Sequence, residues 1–280
     1  MKRRVATLAL AQSCAFFLCA TACTAGAVVK ENREVGAFQK ISAKSGVDVY
    51  FTQSASRSVV VEAEEEHIGK VVTEVDGETL VVKVKVKDKV FRTKSPLKVH
   101  VSAPALSAVE ASGGADFHAD SLTCESSFQL SVSGGADANI AHLKVGKDVA
   151  IASSGGADAK VRNLIVAGNT ELAASGGADC DVEHLQTVSG KLLASGGADV
   201  DVKSFAAENL SLAASGGADI SASGEAANLQ ASASGGADIS VSGKATNVQA
   251  SASSGADINI KNLTYTSINT EKSSGGDIHR

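Results

Sequence analysis

Nine aspartates recur at nearly even intervals along this 280-residue chain: Asp116, Asp137, Asp158, Asp179, Asp199, Asp219, Asp238, Asp257 and Asp277. The first seven close intact copies of Ser-Gly-Gly-Ala-Asp. The last two close altered copies, Ser253-Ser254-Gly255-Ala256-Asp257 and Ser273-Ser274-Gly275-Gly276-Asp277. Carboxylates repeated in this way have two chemical uses. They can accept backbone N–H groups in the tight turn that a glycine pair makes, as short acidic side chains do. They can also hold a hard cation, because calcium takes carboxylate and carbonyl oxygens. The structural use is the first expectation. Calcium on Asp158, Asp179 and Asp199, in the most regular stretch, is the second. Against calcium, a site needs about six to eight oxygens and one Asp per repeat supplies few. The nine-residue period of calcium-binding β-rolls is also absent.

Other chemistry is sparse. Of six histidines, His142 and His184 share a position five residues after an aspartate, but two repeats separate them. Stacked strands would hold them roughly 10 Å apart, too far to share a metal whose Zn–N bonds are about 2.0–2.1 Å. There is no phosphate loop, nucleophile elbow or cysteine pair of metal spacing. A polysaccharide lyase or hydrolase needs clustered acids and bases and an aromatic sugar platform. The chain has no Trp and two Tyr, and two of its eight Phe, Phe16 and Phe17, lie in an apolar N-terminal run. Cys124 and Cys180 fall nearly three repeats apart, about 14 Å, beyond disulfide reach. Cys180 reads as a small core hydrophobe.

The spacing defines the elements that carry these residues. The steps between aspartates are 21, 21, 21, 20, 20, 19, 19 and 20 residues, the mark of stacked units that cannot bury their apolar faces alone. With each Asp as zero, position +1 runs from Phe117 and Ala138 to Ile239 and Ile258, and position +3 includes Ile140, Val161, Val182 and Val202. The residues between them are polar, so each segment reads as a half-buried strand. Further apolar posts stand at −7 (Val109, Leu130, Ile151, Leu172) and at +6 (Leu122, Leu143, Leu164, Leu185, Phe205). Disordered Ser/Gly/Ala sequence would not keep such posts in step. The pattern predicts an all-β chain, a parallel β-solenoid (β-helix) of about 20-residue coils. Like would stack on like about 4.8 Å apart, in a rod of roughly 40 Å. The recurrent Ala implies a thin core. The glycines allow a bend or a close backbone approach.

Residues 1–22 read as a signal peptide: Lys2, Arg3 and Arg4, then an uncharged apolar run. It ends Ala20-Thr21-Ala22-Cys23, which predicts lipidation at Cys23; cleavage after Ala22 or Ala27 is the alternative. Removing those three basic residues takes the net charge from −5 to −8, which points away from nucleic acid. Residues 23–36 read as a lipid-anchored tether. Residues 37–106 read as an irregular β part of divergent coils and a hairpin cap. Ile41, Asp48, Val49 and Phe51 repeat the coil rule 68 residues before Asp116, and Asp76-Gly77 marks a hairpin turn. Lys83, Lys85 and Lys87 form a stripe that reads as a solvated, edge-guarding face. Residues 107–280 read as the regular rod, whose final coil leaves an edge for self-association.

The Gly46-Val47-Asp48-Val49-Tyr50-Phe51 strand, the Asp76-Gly77 hairpin, the stretch from Val99 to Leu106 and the Ser-Gly-Gly-Ala-Asp ladder together resemble the head GIN domain family. The resemblance spans about residues 37–280. It implies an exported bacterial protein with a right-handed β-helical fold and an auto-transporter adhesin label, and it brings no catalytic residues. The functional expectation is a non-catalytic surface or periplasmic binding module, anchored to the outer membrane by lipid, that grips a polysaccharide or protein along the rod. A structural envelope lipoprotein is the alternative, and a polysaccharide-active enzyme a further one. No cofactor is expected beyond the calcium considered above.

Overall fold

The computed structural model describes residues 27–85 and 96–280. It is all-β, a solenoid of about nine turns whose N-terminal part is a mixed sheet. The four-residue helix α1 (Glu65–Ile68) is the only helix among the described residues. The first coil is β2 (Lys40–Lys44) and β3 (Val47–Gln53). It stacks in parallel on β8 (Ala108–Ser112) and β9 (Phe117–Cys124), with Ile41 beside Val109 and Val49 beside Phe117. The repeat rule therefore holds across the 68-residue gap. Residues between the two coils do not lie between them in space. Instead β6 (Thr79–Val84) and β7 (Leu97–Ala103) pair with the opposite edges of β2 and β3, placing Leu80 on Ile41 and Val99 on Val49.

Antiparallel strands close this end. β5 (Val71–Asp76) folds back on β6 through the Asp76-Gly77 turn. β4 (Ser58–Glu64) runs along β7, and β1 (Val28–Asn32) along β4. The stretch read as a lipid-anchored tether, residues 23–36, includes the strand β1. Its apolar alternation is weak because four of its five residues are exposed, and backbone pairing to β4 sets it. Cys23 and residues 1–22 lie outside the described residues, as does Lys87. Lys83 forms an ion pair with Glu74 of the hairpin partner at 2.6 Å.

From β8 onward each coil has three inward-facing runs. One covers −9 to −4, as in Phe128–Ser133. The other two share one strand, as in Asp137–Val145, where Ala138 and Ile140 face in, Ala141 and His142 face out, and Leu143 and Val145 face in again. The posts at −7 are sealed: Leu130, Leu172, Leu192 and Leu212 are all 0 % exposed. Each such leucine contributes about 1.5–3 kcal/mol through burial. The Ala before each Asp, from Ala115 to Ala256, is equally closed off, so the aspartates stand on the outer side. At the turn the first glycine of each intact copy takes positive φ, and in five of the seven copies both do, as in Gly134 (63°) and Gly135 (72°), a region costly for residues with a Cβ. Cys124 and Cys180 are buried and unbonded. Burial pushes the Cys180 thiol up to about 12.

The coils shorten from 21 to 19 residues toward the C-terminus, and the +6 post marks the second deletion. Phe205 pairs with Gly224, and Gly224 with Gly243. A Cβ on Gly224 would meet the Phe205 carbonyl oxygen at 2.1 Å and its nitrogen at 2.6 Å. Only glycine lets the shortened coil sit this close to the one before.

Candidate functional site

Strand pairing lines the nine aspartates in register, one per coil, and adds Asp48 ahead of Asp116. Asp158, Asp179 and Asp199, the aspartates offered to calcium, are successive members. The column is held by the backbone. The Asp137 N–H donates to Asp116 Oδ1 at 3.1 Å, so the donor belongs to the next coil rather than to the same turn. Partial burial, then the neighbours Asp116 and Asp158, hold the Asp137 carboxyl above the usual range. Burial, then Asp179 and Asp219, do the same to Asp199, and burial followed by Asp116 to Asp48. Lys160, two positions on, lies 3.3 Å from Asp158 and 3.9 Å from Asp181. At the far end Lys272 pairs with Asp277, and together with the Ile278 N–H holds that carboxyl below its ordinary value.

Two axial grooves flank the strands. The smaller runs over positions +2 to +4 and is zwitterionic. In it Glu183 bridges Arg162 and Lys203 across neighbouring coils at 3.8 and 3.5 Å. The larger, of 940 Å³, runs from Lys40 to Asn247 over positions −10, −9 and −8. Its floor includes Phe128, Val149, Leu210 and Leu229, all nearly buried. One wall is a hydrogen-bonded ladder at −10. Asn169 Nδ2 donates to Asp148 Oδ1 (2.9 Å), Asn228 Nδ2 to Asn209 Oδ1 (2.9 Å), Asn247 Nδ2 to Asn228 Oδ1 (2.9 Å), and Ser267 Oγ to Asn247 Oδ1 (2.8 Å). The other wall, at −8, carries Gln129, the Glu171–Lys191 pair (3.6 Å), Ser211, Gln230 and Gln249. Sequence reasoning missed this groove. Its signal was present as a polar residue ten positions before every Asp from Asp137 onward, but the residue type changes among Ser, Asp and Asn.

Stacking keeps His142 and His184 two coils apart, with Asn163 between them and its Nδ2 3.0 Å from His142 Nδ1. Near β1, Glu64, Glu66 and His67 bring ligand atoms within 4.8 Å of one another, the one such triad among the described residues. Lys70 Nζ lies 3.0 Å from His67 Nδ1.

The sequence matches, over residues 37–204 and again over 189–279, the family described as "Putative auto-transporter adhesin, head GIN domain". The chain belongs to the head GIN domain family. Solved structures share the head GIN fold at low identity. A "putative adhesin from Parabacteroides distasonis ATCC 8503" has a TM-score of 0.66 at 17 % identity, covering 89 % of this chain and 97 % of that one. A "putative adhesin from Parabacteroides merdae ATCC 43184" has a TM-score of 0.60 at 16 % identity, covering 88 % and 96 %. A "Putative lipid binding protein" from Parabacteroides distasonis ATCC 8503 has a TM-score of 0.61 at 14 % identity, covering 88 % and 97 %. No curated protein matches the chain. In this head GIN chain the two grooves and the aspartate column are among the surface features that repeat coil after coil.

Proposed function

We propose that this protein is an exported, non-catalytic adhesion module of the bacterial envelope, anchored by lipid on Cys23, that binds its partner along the groove at positions −10 to −8. One observation carries the reading. The groove is continuous over the coils from Lys40 to Asn247, so it offers an extended partner the same contacts repeatedly. A point-like active site would not need that length. The adhesin name borne by the family and by two structural neighbours agrees with it. A second reading draws on the neighbour named for lipid binding, with the floor of Phe128, Val149, Leu210 and Leu229 taking an acyl chain.

Beads coated with the exported protein test the first reading against mucin, extracellular matrix and bacterial cells. The expected result is retention on at least one surface and its loss in Ser211→Trp, whose bulk fills the groove from an outward position. Retention unaffected by Ser211→Trp, or no retention by a protein of unchanged melting temperature, overturns it. Loss of retention on adding phosphatidylglycerol vesicles favours the lipid reading.

A further inference from the structure

We infer that the C-terminal half of the large groove recognises a neutral, linear, hydroxyl-rich polysaccharide, an inference that rests on the adhesion reading and names its ligand class. The two walls here are Asn209, Asn228 and Asn247 on one side and Ser211, Gln230 and Gln249 on the other, and no charged side chain lines this half. The lining charges, Lys40, Asp148, Glu171 and Lys191, all lie toward the other end. An acidic polymer gains nothing from neutral walls on a chain of net negative charge.

A peptide strand is disfavoured for a different reason. Residues 209–211, 228–230 and 247–249 pair with the coils on both sides. Their N–H and C=O groups are committed along the rod, and no free edge is open for an added strand. Only side chains are left to bind, so the partner must be read through amides and hydroxyls. The ladder supplies them in a fixed direction. In Asn228, one of the two amide N–H groups goes to Asn209 and one lone pair of the oxygen is taken by Asn247. The second N–H and the second lone pair remain for a ligand, repeated every coil at about 4.8 Å. Beneath them, Leu210 and Leu229 give an apolar floor. Hydroxyl edges with C–H faces, the surface of a sugar polymer, match amide walls over an apolar floor. An acyl chain would leave those amides without partners.

The test is affinity electrophoresis of the full exported chain through soluble xylan, mannan and β-glucan, with alginate as the acidic polymer and phosphatidylglycerol vesicles as competitor. At least one neutral polysaccharide is expected to retard the protein, with little change on adding salt because no charge pairing is involved. Gln230→Ala with Gln249→Ala should weaken this about tenfold, the loss of one or two hydrogen bonds. Both side chains are exposed and outside the ladder, so the melting temperature should not move. Arg162→Ala with Lys203→Ala, in the other groove, should bind as wild type. Retardation by alginate alone, equal retardation of the Gln variant, or none at all overturns the inference. If coated beads still adhere in a Ser211-dependent way while no neutral polysaccharide competes, the adhesion reading stands and the ligand class is wrong. If the beads do not adhere at all, the adhesion reading itself falls.

Discussion

Replacing Asp137 by Asn should stabilise the rod at neutral pH. Asp137 has Asp116 on one side and Asp158 on the other in the parallel register. Unit charges about 4.8 Å apart repel by about 0.9 kcal/mol in water, so two neighbours cost about 1.7 kcal/mol. A Debye length of about 8 Å at physiological salt removes roughly half. Lys160 attracts the same carboxylate and offsets more. Relief of partial burial works with the substitution, and an amide oxygen can still accept the Asp158 N–H. The net expectation is a gain of about 0.5–1 kcal/mol, or about 1–4 °C in melting temperature for a chain of this size. The gain should be larger at low salt. The pH dependence follows from the direction of the shifts. Asp48, Asp137 and Asp199 are raised in the folded state. The fold therefore holds more protons than the unfolded chain between the ordinary value of about 3.9 and the raised ones. Their contribution is full below the unfolded value and is lost as pH rises through the folded values. Wild type should gain stability on mild acidification, and Asp137→Asn should gain less. The assay is thermal unfolding followed by circular dichroism, from neutral to mildly acid pH at two salt concentrations. A variant that melts below wild type at neutral pH and low salt would refute the repulsion argument and show that the charge itself is needed.

Ser153 has a buried hydroxyl with no partner among the described residues, in a column that from Ala111 to Ala252 is otherwise Ala and one Val. Ser153→Ala should therefore stabilise by about 1–3 kcal/mol, read as a higher melting temperature; a lower one contradicts this. Gly224→Ala places a Cβ 2.1 Å from the Phe205 carbonyl oxygen, and a loss of about 3 kcal/mol or more is expected; near-wild-type melting would mean the coil can shift. Millimolar calcium should leave the melting temperature unchanged within about 1 °C, since a ligand stabilises only in proportion to its binding. A rise of many degrees with calcium but not magnesium would assign Asp158, Asp179 and Asp199 to a cation. Cys23→Ser should release the protein from the membrane fraction or block its processing, and unchanged partitioning refutes lipidation.

Much of the rod was legible because a solenoid writes its geometry into fixed offsets. Inward posts at −7, +1, +3 and +6 recur in the sequence and are buried in the structure. The same offsets revealed the first coil through Ile41, Val49 and Phe51, even across the insertion. What escaped reading depends on pairing between distant segments. The strand at Val28–Asn32 has too few inward residues to show a period, and its partner is β4. Gly224 looks like any loop glycine until Phe205 is placed against it. The groove walls at −10 and −8 vary in residue type because outward positions are free of the volume constraint that keeps the core posts uniform.

The stacking at the N-terminal end also sets an order of construction. β2 and β3 are completed on one side by β6 and β7 and on the other by β8 and β9, every one of them later in the chain. Even the bond from Ser42 Oγ to Glu110 spans 68 residues. The first coil therefore cannot settle until some seventy further residues are available to pair with it. Such long loops are slow to close. Once β9 is seated, each further coil needs only its predecessor as a template, and growth can proceed one repeat at a time. The irregular base is thus the slow step of folding. A substitution there should lower the yield of exported protein more than an equally destabilising one in the later coils.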